Sequence, residues 1–218
     1  MKTSASLWSA DLLDVSAAMD LVEEVVHGFH IDVMDGHFVP ELLFGPDFVR
    51  AVARRTRRLV DVHLMVAEAG RWIVPFAEAG AGMLTVHPSA CADVVATLAH
   101  IEALGVRPAV AIDVNEPLEP VWALLEHVDR VLLMGTALGV KGVEIEPAMY
   151  GRIQAVVKAR ERSARRPDVF VDGGIRRHTA PLIARAGADG VTPGSLVFGE
   201  PDPVAAVRWI GALPGEPG

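Results

Sequence analysis

The sequence is poor in cysteine, in aromatic residues and in long apolar runs. One cysteine, Cys91, occurs in 218 residues, and aromatic residues make up 6%. A lone cysteine excludes an intramolecular disulfide and a cysteine-based zinc site, and it is typical of a reducing compartment. We therefore expect a cytoplasmic protein. No apolar run approaches the ~18 residues that a membrane-spanning helix needs, so we expect no membrane partner.

Basic residues are also fewer than acidic ones. Lysine and arginine number 20 against 28 aspartate and glutamate residues, which gives a net charge of −8. A net negative chain is a poor general binder of nucleic acid, so we expect no nucleic-acid partner. A small anionic substrate stays compatible, because a local site can differ in charge from the whole chain.

Short apolar segments alternate with longer amphipathic segments along the chain. The short segments are nearly continuous in apolar and β-branched residues, which is typical of parallel strands buried on both faces. We predict strands at residues 4–8, 29–34, 59–65, 83–87, 108–113, 130–135, 168–173 and 189–194. Gly80, Gly105 and Gly187 each end a segment of helical period just before a strand. A glycine at that position favours a helix C-terminus.

Eight consecutive strand–helix units fill the 218 residues. A doubly wound open sheet shows the same alternation, but eight units in this length favour a single α/β domain of the (β/α)8 TIM-barrel type. No linker or change of composition divides the chain. We therefore expect one domain over residues 1–218, with residues 213–218 as a frayed tail.

Polar side chains lie on the strands where such a barrel places its active site, towards their C-terminal ends. Residues two apart on a strand share a face, so His30 and Asp32 point together, and so do Asp61 and His63. Inward-facing charges are costly unless they are offset, and a divalent Zn²⁺, Fe²⁺ or Mn²⁺ suits this nitrogen and oxygen set. A single inward histidine is nevertheless more often a hydrogen-bonded core residue. Asp61 equally fits an outward position against the arginines of residues 54–58.

Three further ionisable residues end predicted strands. His87, Asp113 and Asp172 each fall at or near the last residue of an apolar segment. For His87 the simpler explanation is that it caps the turn before Pro88. The coincidence of several such residues in one chain favours a site over isolated core residues.

Glycine-rich loops follow the last two predicted strands, as VDGG at 171–174 and TPGS at 192–195. Glycines there let backbone N–H groups approach a phosphate in front of a helix N-terminus. Barrels of this kind usually bind phosphate at this position. The loop at 135–142 adds Lys141, which is equally an ordinary solvated lysine.

Seven motifs, spread over nearly the whole chain, resemble the ribulose-phosphate 3-epimerase family. They are SLWSAD (6–11), FHIDVMDGHFVP (29–40), DVHLM (61–65), TVHPSA (85–90), VLLM (131–134), VDGG (171–174) and PGSLVFG (193–199). The resemblance implies a metal-dependent (β/α)8 barrel that inverts C3 of a ketose phosphate through an enediolate. By default it converts D-ribulose 5-phosphate to D-xylulose 5-phosphate.

The resemblance also implies a role for each matching residue. One divalent metal ion is bound by His30, Asp32, His63 and Asp172, and Asp32 and Asp172 are the acid/base pair. The implied substrate-binding residues are Ser6, Met34, His63, Met65, Met134, Gly139, Gly142, Gly173, Gly174, Gly194 and Ser195. Lys141, which has no counterpart in the family pattern, is a further candidate because it could contact the phosphate directly. The methionines form an apolar collar over the reacting carbons, although methionine is commonly a core residue. A homo-oligomer is implied as well.

One loop departs from the family pattern. Where the family usually has GFGGQ, this chain has Gly139-Val140-Lys141-Gly142-Val143. The departure leaves open another ketose phosphate, such as allulose 6-phosphate, or a non-catalytic barrel. A metal-free lyase or synthase is disfavoured because the strand ends carry histidine and aspartate but no lysine.

Overall fold

The computed structural model describes residues 1–214. Of the tail predicted at 213–218, residues 215–218 lie outside the described residues. The strands are β1 (Lys2–Ser6), β2 (Gly28–Asp35), β3 (Leu42–Leu43), β4 (Leu59–Met65), β5 (Met83–Val86), β6 (Arg107–Ile112), β7 (Arg130–Met134), β8 (Asp168–Asp172) and β9 (Gly190–Thr192).

The predicted barrel closes within these residues. The parallel order runs β1-β2-β4-β5-β6-β7-β8-β9, and β1 pairs with both β2 and β9. Strand β3 is an antiparallel addition to the end of β2. The first strand was predicted two residues too late, because Leu7–Ser9 form a 3-10 turn instead of extending it. The (β/α)8 barrel is confirmed.

Helices cover the outside of the barrel. They are α1 (Val15–Val22), α2 (Pro46–Arg55), α3 (Ile73–Glu78), α4 (Val94–Ala103), α5 (Glu119–Trp122), α6 (Met149–Arg160), α7 (Ala180–Arg185), α8 (Ser195–Phe198) and α9 (Pro203–Gly211). Gly80, Gly105 and Gly187 all have positive φ, as the predicted helix ends require. No helix in residues 1–214 is long and apolar enough to cross a membrane.

Alternation along β2 separates the hydrophobic core from the barrel interior. Phe29, Ile31 and Val33 pack in the large core cluster that joins the sheet to the helices. His30 and Asp32 point to the interior, where they contact each other and other polar side chains. The same strand therefore contributes both to stability and to the site.

A buried ion pair between Asp61 and Arg130 lies in the barrel interior. Asp61 points inward, where the Arg130 guanidinium and the Ser4 hydroxyl donate to it. Arg130 also lies 3.7 Å from the ring centroid of Phe170. Burial raises the pKa of Asp61, but the positive charges of Arg130 and His30 outweigh it and lower that pKa. The outward alternative for Asp61 is therefore wrong.

Candidate active site

Four side chains converge at the C-terminal end of the barrel. His30, Asp32, His63 and Asp172 each offer one ligand atom, and these atoms lie within 4.8 Å of one another. His30 Nε2 is 3.2 Å from Asp32 Oδ1 and 3.8 Å from Asp172 Oδ2. His63 Nδ1 is also 3.2 Å from Asp32 Oδ1. Two imidazoles and two carboxylates at this spacing fit a divalent Zn²⁺, Fe²⁺ or Mn²⁺ ion.

Strand register brings these residues together. Asp32 of β2 lies directly opposite His63 of β4. Ser6 pairs with His30, and its hydroxyl donates to Asp32 Oδ2 at 3.3 Å. Asp172 ends β8, on another part of the closed barrel, so closure is what places it beside His30.

The two site carboxylates differ in protonation. Burial and the nearby charge of Asp32 raise the pKa of Asp172 to about 7. Burial would also raise the pKa of Asp32, but His30 and His63 lower it well below its usual range. Near pH 7 the Asp32 carboxylate is therefore ionised, whereas Asp172 is about half protonated.

His30 carries the compensating charge. Burial opposes its protonation, but Asp32 and Asp61 raise the pKa of His30 well above its usual value. The site therefore stabilises a cation at this point. A bound divalent ion would offset the carboxylates instead and leave His30 a neutral ligand.

Both site histidines have a partner on their other ring nitrogen. His30 Nδ1 lies 3.1 Å from Asp61 Oδ2, and His63 Nε2 lies 2.9 Å from His87 Nε2. Such outer contacts fix the orientation of metal-binding imidazoles. His87 is the N-cap residue of the 3-10 turn Pro88–Ala90, as the capping interpretation expected, but its side chain makes no capping hydrogen bond and contacts His63 instead.

A cavity of about 280 Å³ is lined by two of the four convergent side chains, Asp32 and Asp172, whereas His30 and His63 are not among its lining residues. Met34, Met65 and Met134 line it and are themselves buried. Met34 and Met65 are cross-strand neighbours on β2 and β4. The predicted methionines thus contribute an apolar wall to the cavity rather than only to the core.

The glycine loops after β8 and β9 line the same cavity. Gly173 and Gly174 have φ of 90° and 69°, and a Cβ on Gly174 would lie 2.5 Å from the Ile145 backbone nitrogen. Gly194 precedes Ser195, which begins α8 and whose N–H has no partner within that helix. Both loops therefore border the cavity at Gly173, Gly174 and Gly194 without side chains at these positions.

The divergent loop lies at the cavity mouth. Gly139 and Gly142 line the cavity, and both have positive φ. Lys141 Nζ donates to the Trp8 carbonyl at 2.6 Å and lies 4.0 Å from the Trp8 ring centroid. Lys141 is exposed, but it borders the cavity instead of extending into solvent. Asp113 is not part of the site, because its carboxylate accepts from the Asn115 N–H in a separate loop.

Comparison with known proteins decides the family. A sequence model described as "Ribulose-phosphate 3 epimerase family" matches residues 2–198. The chain belongs to the ribulose-phosphate 3-epimerase family. It is therefore an isomerase of this type, as the motifs predicted.

Relatives in the ribulose-phosphate 3-epimerase family match over almost their whole length. Ribulose-phosphate 3-epimerase of Bacillus subtilis is 36% identical, covering 96% of this chain and 98% of that protein. The cytoplasmic isoform from Oryza sativa subsp. japonica is 33% identical, covering 95% and 92%. A solved structure of KGPDC from Streptococcus mutans has a TM-score of 0.75 at 16% identity, covering 96% and 94%. That last likeness shows the barrel fold alone.

Trp8 and Arg176 are among the cavity residues that the sequence did not predict as site residues. Trp8 receives the Lys141 ammonium, and Arg176 Nη1 donates to Ser195 Oγ at 3.2 Å beside the glycine loops. The feature of the sequence that could have indicated Arg176 was its basic side chain two residues after Gly174. Arg130 and the contact between His87 and His63 carried no signal in the sequence, because each depends on strands far apart in the chain.

Proposed function

We propose that this chain is a metal-dependent 3-epimerase of a ketose phosphate, with D-ribulose 5-phosphate and D-xylulose 5-phosphate as its default pair. The observation that carries the proposal is the convergence of the buried Asp32 and the partly buried Asp172 on two histidines, with ligand atoms within 4.8 Å of one another and with opposite pKa shifts of the two carboxyls. The names and 33–36% identities of the relatives support the same substrate.

Epimerisation needs an acid and a base on opposite faces of one carbon. In the proposed reaction an ionised aspartate removes the C3 proton, and the electron pair passes into an enediolate. The protonated aspartate then delivers its proton to the other face of C3. Asp32 and Asp172 come from different strands and differ in protonation, which suits the two roles. After one turnover the two aspartates have exchanged protonation states, and a proton must pass between them, directly or through solvent, before the same direction repeats; no net proton is consumed.

The remaining side chains would support this transfer. A divalent metal held by His30, Asp32, His63 and Asp172 would supply Lewis-acid stabilisation of the negative charge that develops on the substrate oxygens. Ser6 holds Asp32 by its hydrogen bond. The wall of Met34, Met65 and Met134 would exclude water, which strengthens electrostatic interactions at C3.

The phosphate would bind at the glycine loops. The proposed contacts are the backbone amides of Gly173, Gly174, Gly194 and Ser195, the loop glycines Gly139 and Gly142, and the side chains of Lys141 and Arg176. Backbone amides bind an anion without added basic residues. An acidic chain can therefore hold an anionic substrate.

Solvent deuterium exchange tests the reaction and its substrate together. The enzyme is incubated in D₂O with ribulose 5-phosphate or allulose 6-phosphate, with and without EDTA, and the products are followed by NMR. We expect deuterium at C3 alone, faster with ribulose 5-phosphate, and loss of exchange with EDTA.

Each other outcome contradicts a defined part of the proposal. Faster exchange with allulose 6-phosphate would contradict ribulose 5-phosphate as the preferred substrate. Exchange that persists in EDTA would contradict the requirement for a metal ion. Cleavage of a C–C bond indicates a lyase or synthase, and no exchange with either sugar indicates a non-catalytic barrel.

We also propose a cytoplasmic location and a homo-oligomeric state. The location is supported by the single cysteine and by the name of the rice relative. The oligomeric state is supported by the family resemblance alone.

A further inference from the structure

His87 is a buried titratable residue that the proposed reaction does not use. It follows β5, is 0% exposed, and lies outside the four convergent ligands. Its ring centroid is 5.0 Å from that of Phe38 and 5.1 Å from that of His63. Its Nε2 lies 2.9 Å from His63 Nε2. The ring is therefore fixed against the back of a metal-binding histidine.

The 2.9 Å contact between the two Nε2 atoms requires a proton on one of them and a lone pair on the other. His63 Nδ1 is the nitrogen that faces the other ligands, so it must present a lone pair to a metal. In a neutral imidazole the proton then sits on Nε2, which needs an acceptor. His87 Nε2 is the atom within hydrogen-bond distance, so it must supply the lone pair that accepts this proton.

We propose that His87 is a positioning residue of the metal site: it accepts the Nε2–H of His63 and holds His63 in the tautomer whose Nδ1 is free to bind metal. The inference rests on the proposed metal-dependent function. It assigns the His87 proton to Nδ1, and this atom has no hydrogen-bond partner among residues 1–214. The rings of Phe38 and His63, rather than a second hydrogen bond, therefore orient His87.

The two ligand histidines differ in their outer partners. His30 is backed by the carboxylate of Asp61, whereas His63 is backed by a neutral imidazole. A carboxylate makes the ligand more basic, while a neutral acceptor fixes only its tautomer and direction. Loss of His87 should thus weaken metal binding without changing the charge of the site.

Co²⁺ binding to three variants tests this role. His87→Leu removes the acceptor, His87→Gln keeps one on a side chain of similar reach, and His100→Leu is a control on the exposed face of α4. Dissociation constants are measured by competition with a chelating dye, together with the visible Co²⁺ spectrum. We expect His87→Leu to raise the constant about 10- to 100-fold and to alter the spectrum. His87→Gln should restore both, and His100→Leu should change neither.

Nitrogen NMR of the unmodified protein gives an answer that does not depend on how the variants fold. In Zn²⁺-loaded protein labelled with ¹⁵N-histidine, we expect a proton on Nε2 of His63 and on Nδ1 of His87. A proton on Nε2 of His87 overturns the inference, and so do equal Co²⁺ constants for wild type and His87→Leu. If the wild-type protein binds no Co²⁺, the metal site of the proposed function is contradicted. This result differs from equal binding by wild type and His87→Leu, which contradicts only the role of His87.

Discussion

Asp32 and Asp172 have chemically identical side chains in two different environments. Asp32 lies against two histidines, which lower its pKa, whereas burial and then the charge of Asp32 raise the pKa of Asp172. Environment, and not residue type, therefore separates the pKa values of these two carboxyls.

Asparagine at either position should abolish turnover while leaving the barrel folded. Asp32→Asn and Asp172→Asn keep the side-chain shape but cannot exchange a proton, so we expect kcat to fall by at least about 10²- to 10⁴-fold. Turnover of ribulose 5-phosphate, circular dichroism and metal content are measured together. Asp168→Asn, at the other end of β8 where the carboxylate pairs with Lys2, is the matched control and should retain activity. Near-normal activity of either site variant would contradict the assignment of that aspartate to the acid/base pair.

At the scale of elements, the loop between β7 and α6 distinguishes this chain from the family pattern. It brings Lys141 across the cavity mouth to the Trp8 carbonyl and indole ring. Both residues belong to segments that join a strand to a helix, so they can change without disturbing the barrel. This loop is therefore the place where substrate preference can vary.

Removing the charge of Lys141 should weaken binding of the phosphate. Lys141→Met keeps an apolar stem beside Trp8 and deletes the ammonium. We expect KM for the phosphorylated substrate to rise about 10-fold with little change in kcat, because the phosphate does not react. Lys158→Met on α6 is the control. An unchanged KM, or a fall in kcat alone, contradicts a phosphate contact.

At the scale of the whole molecule, the residues that stabilise the fold and the residues of the candidate site lie in different layers. The large apolar cluster lies between the strands and the helices, while the site lies inside the barrel at the strand ends. The metal ligands thus contribute little to the core that holds the chain together. One domain over residues 1–218 and a homo-oligomer stay predictions at this scale.

Metal removal should therefore abolish activity without unfolding the protein. We expect about one divalent ion per chain by elemental analysis, and loss of turnover after EDTA treatment with circular dichroism retained. Unfolding should move to lower temperature, since a ligand present at 100 times its Kd stabilises the folded state by about 2.7 kcal/mol. Adding back Zn²⁺, Fe²⁺ or Mn²⁺ should restore turnover. Full activity in protein shown to contain no metal contradicts the requirement.

The sequence by itself determined the barrel units and most of the site. Strand alternation is a local property, so spacing alone could place His30 with Asp32 on one face of a strand, and Asp61 with His63 on one face of another. Asp172 could be placed at a strand end, whereas its role as a ligand and the roles of the methionines came from the family motifs. The two-residue β3 was not predicted, because so short a segment carries no measurable period.

Only the tertiary structure decided which side chains meet. Closure between β1 and β9, the inward turn of Asp61 towards Arg130, and the contact of His87 with His63 each join segments far apart in the chain. Lys141 and Trp8 meet across 133 positions of sequence for the same reason. Such contacts depend on register and on the filling of space between distant strands. A local sequence pattern indicates the periodicity of a helix or strand. It does not specify which distant residues pack against that helix or strand in the folded chain.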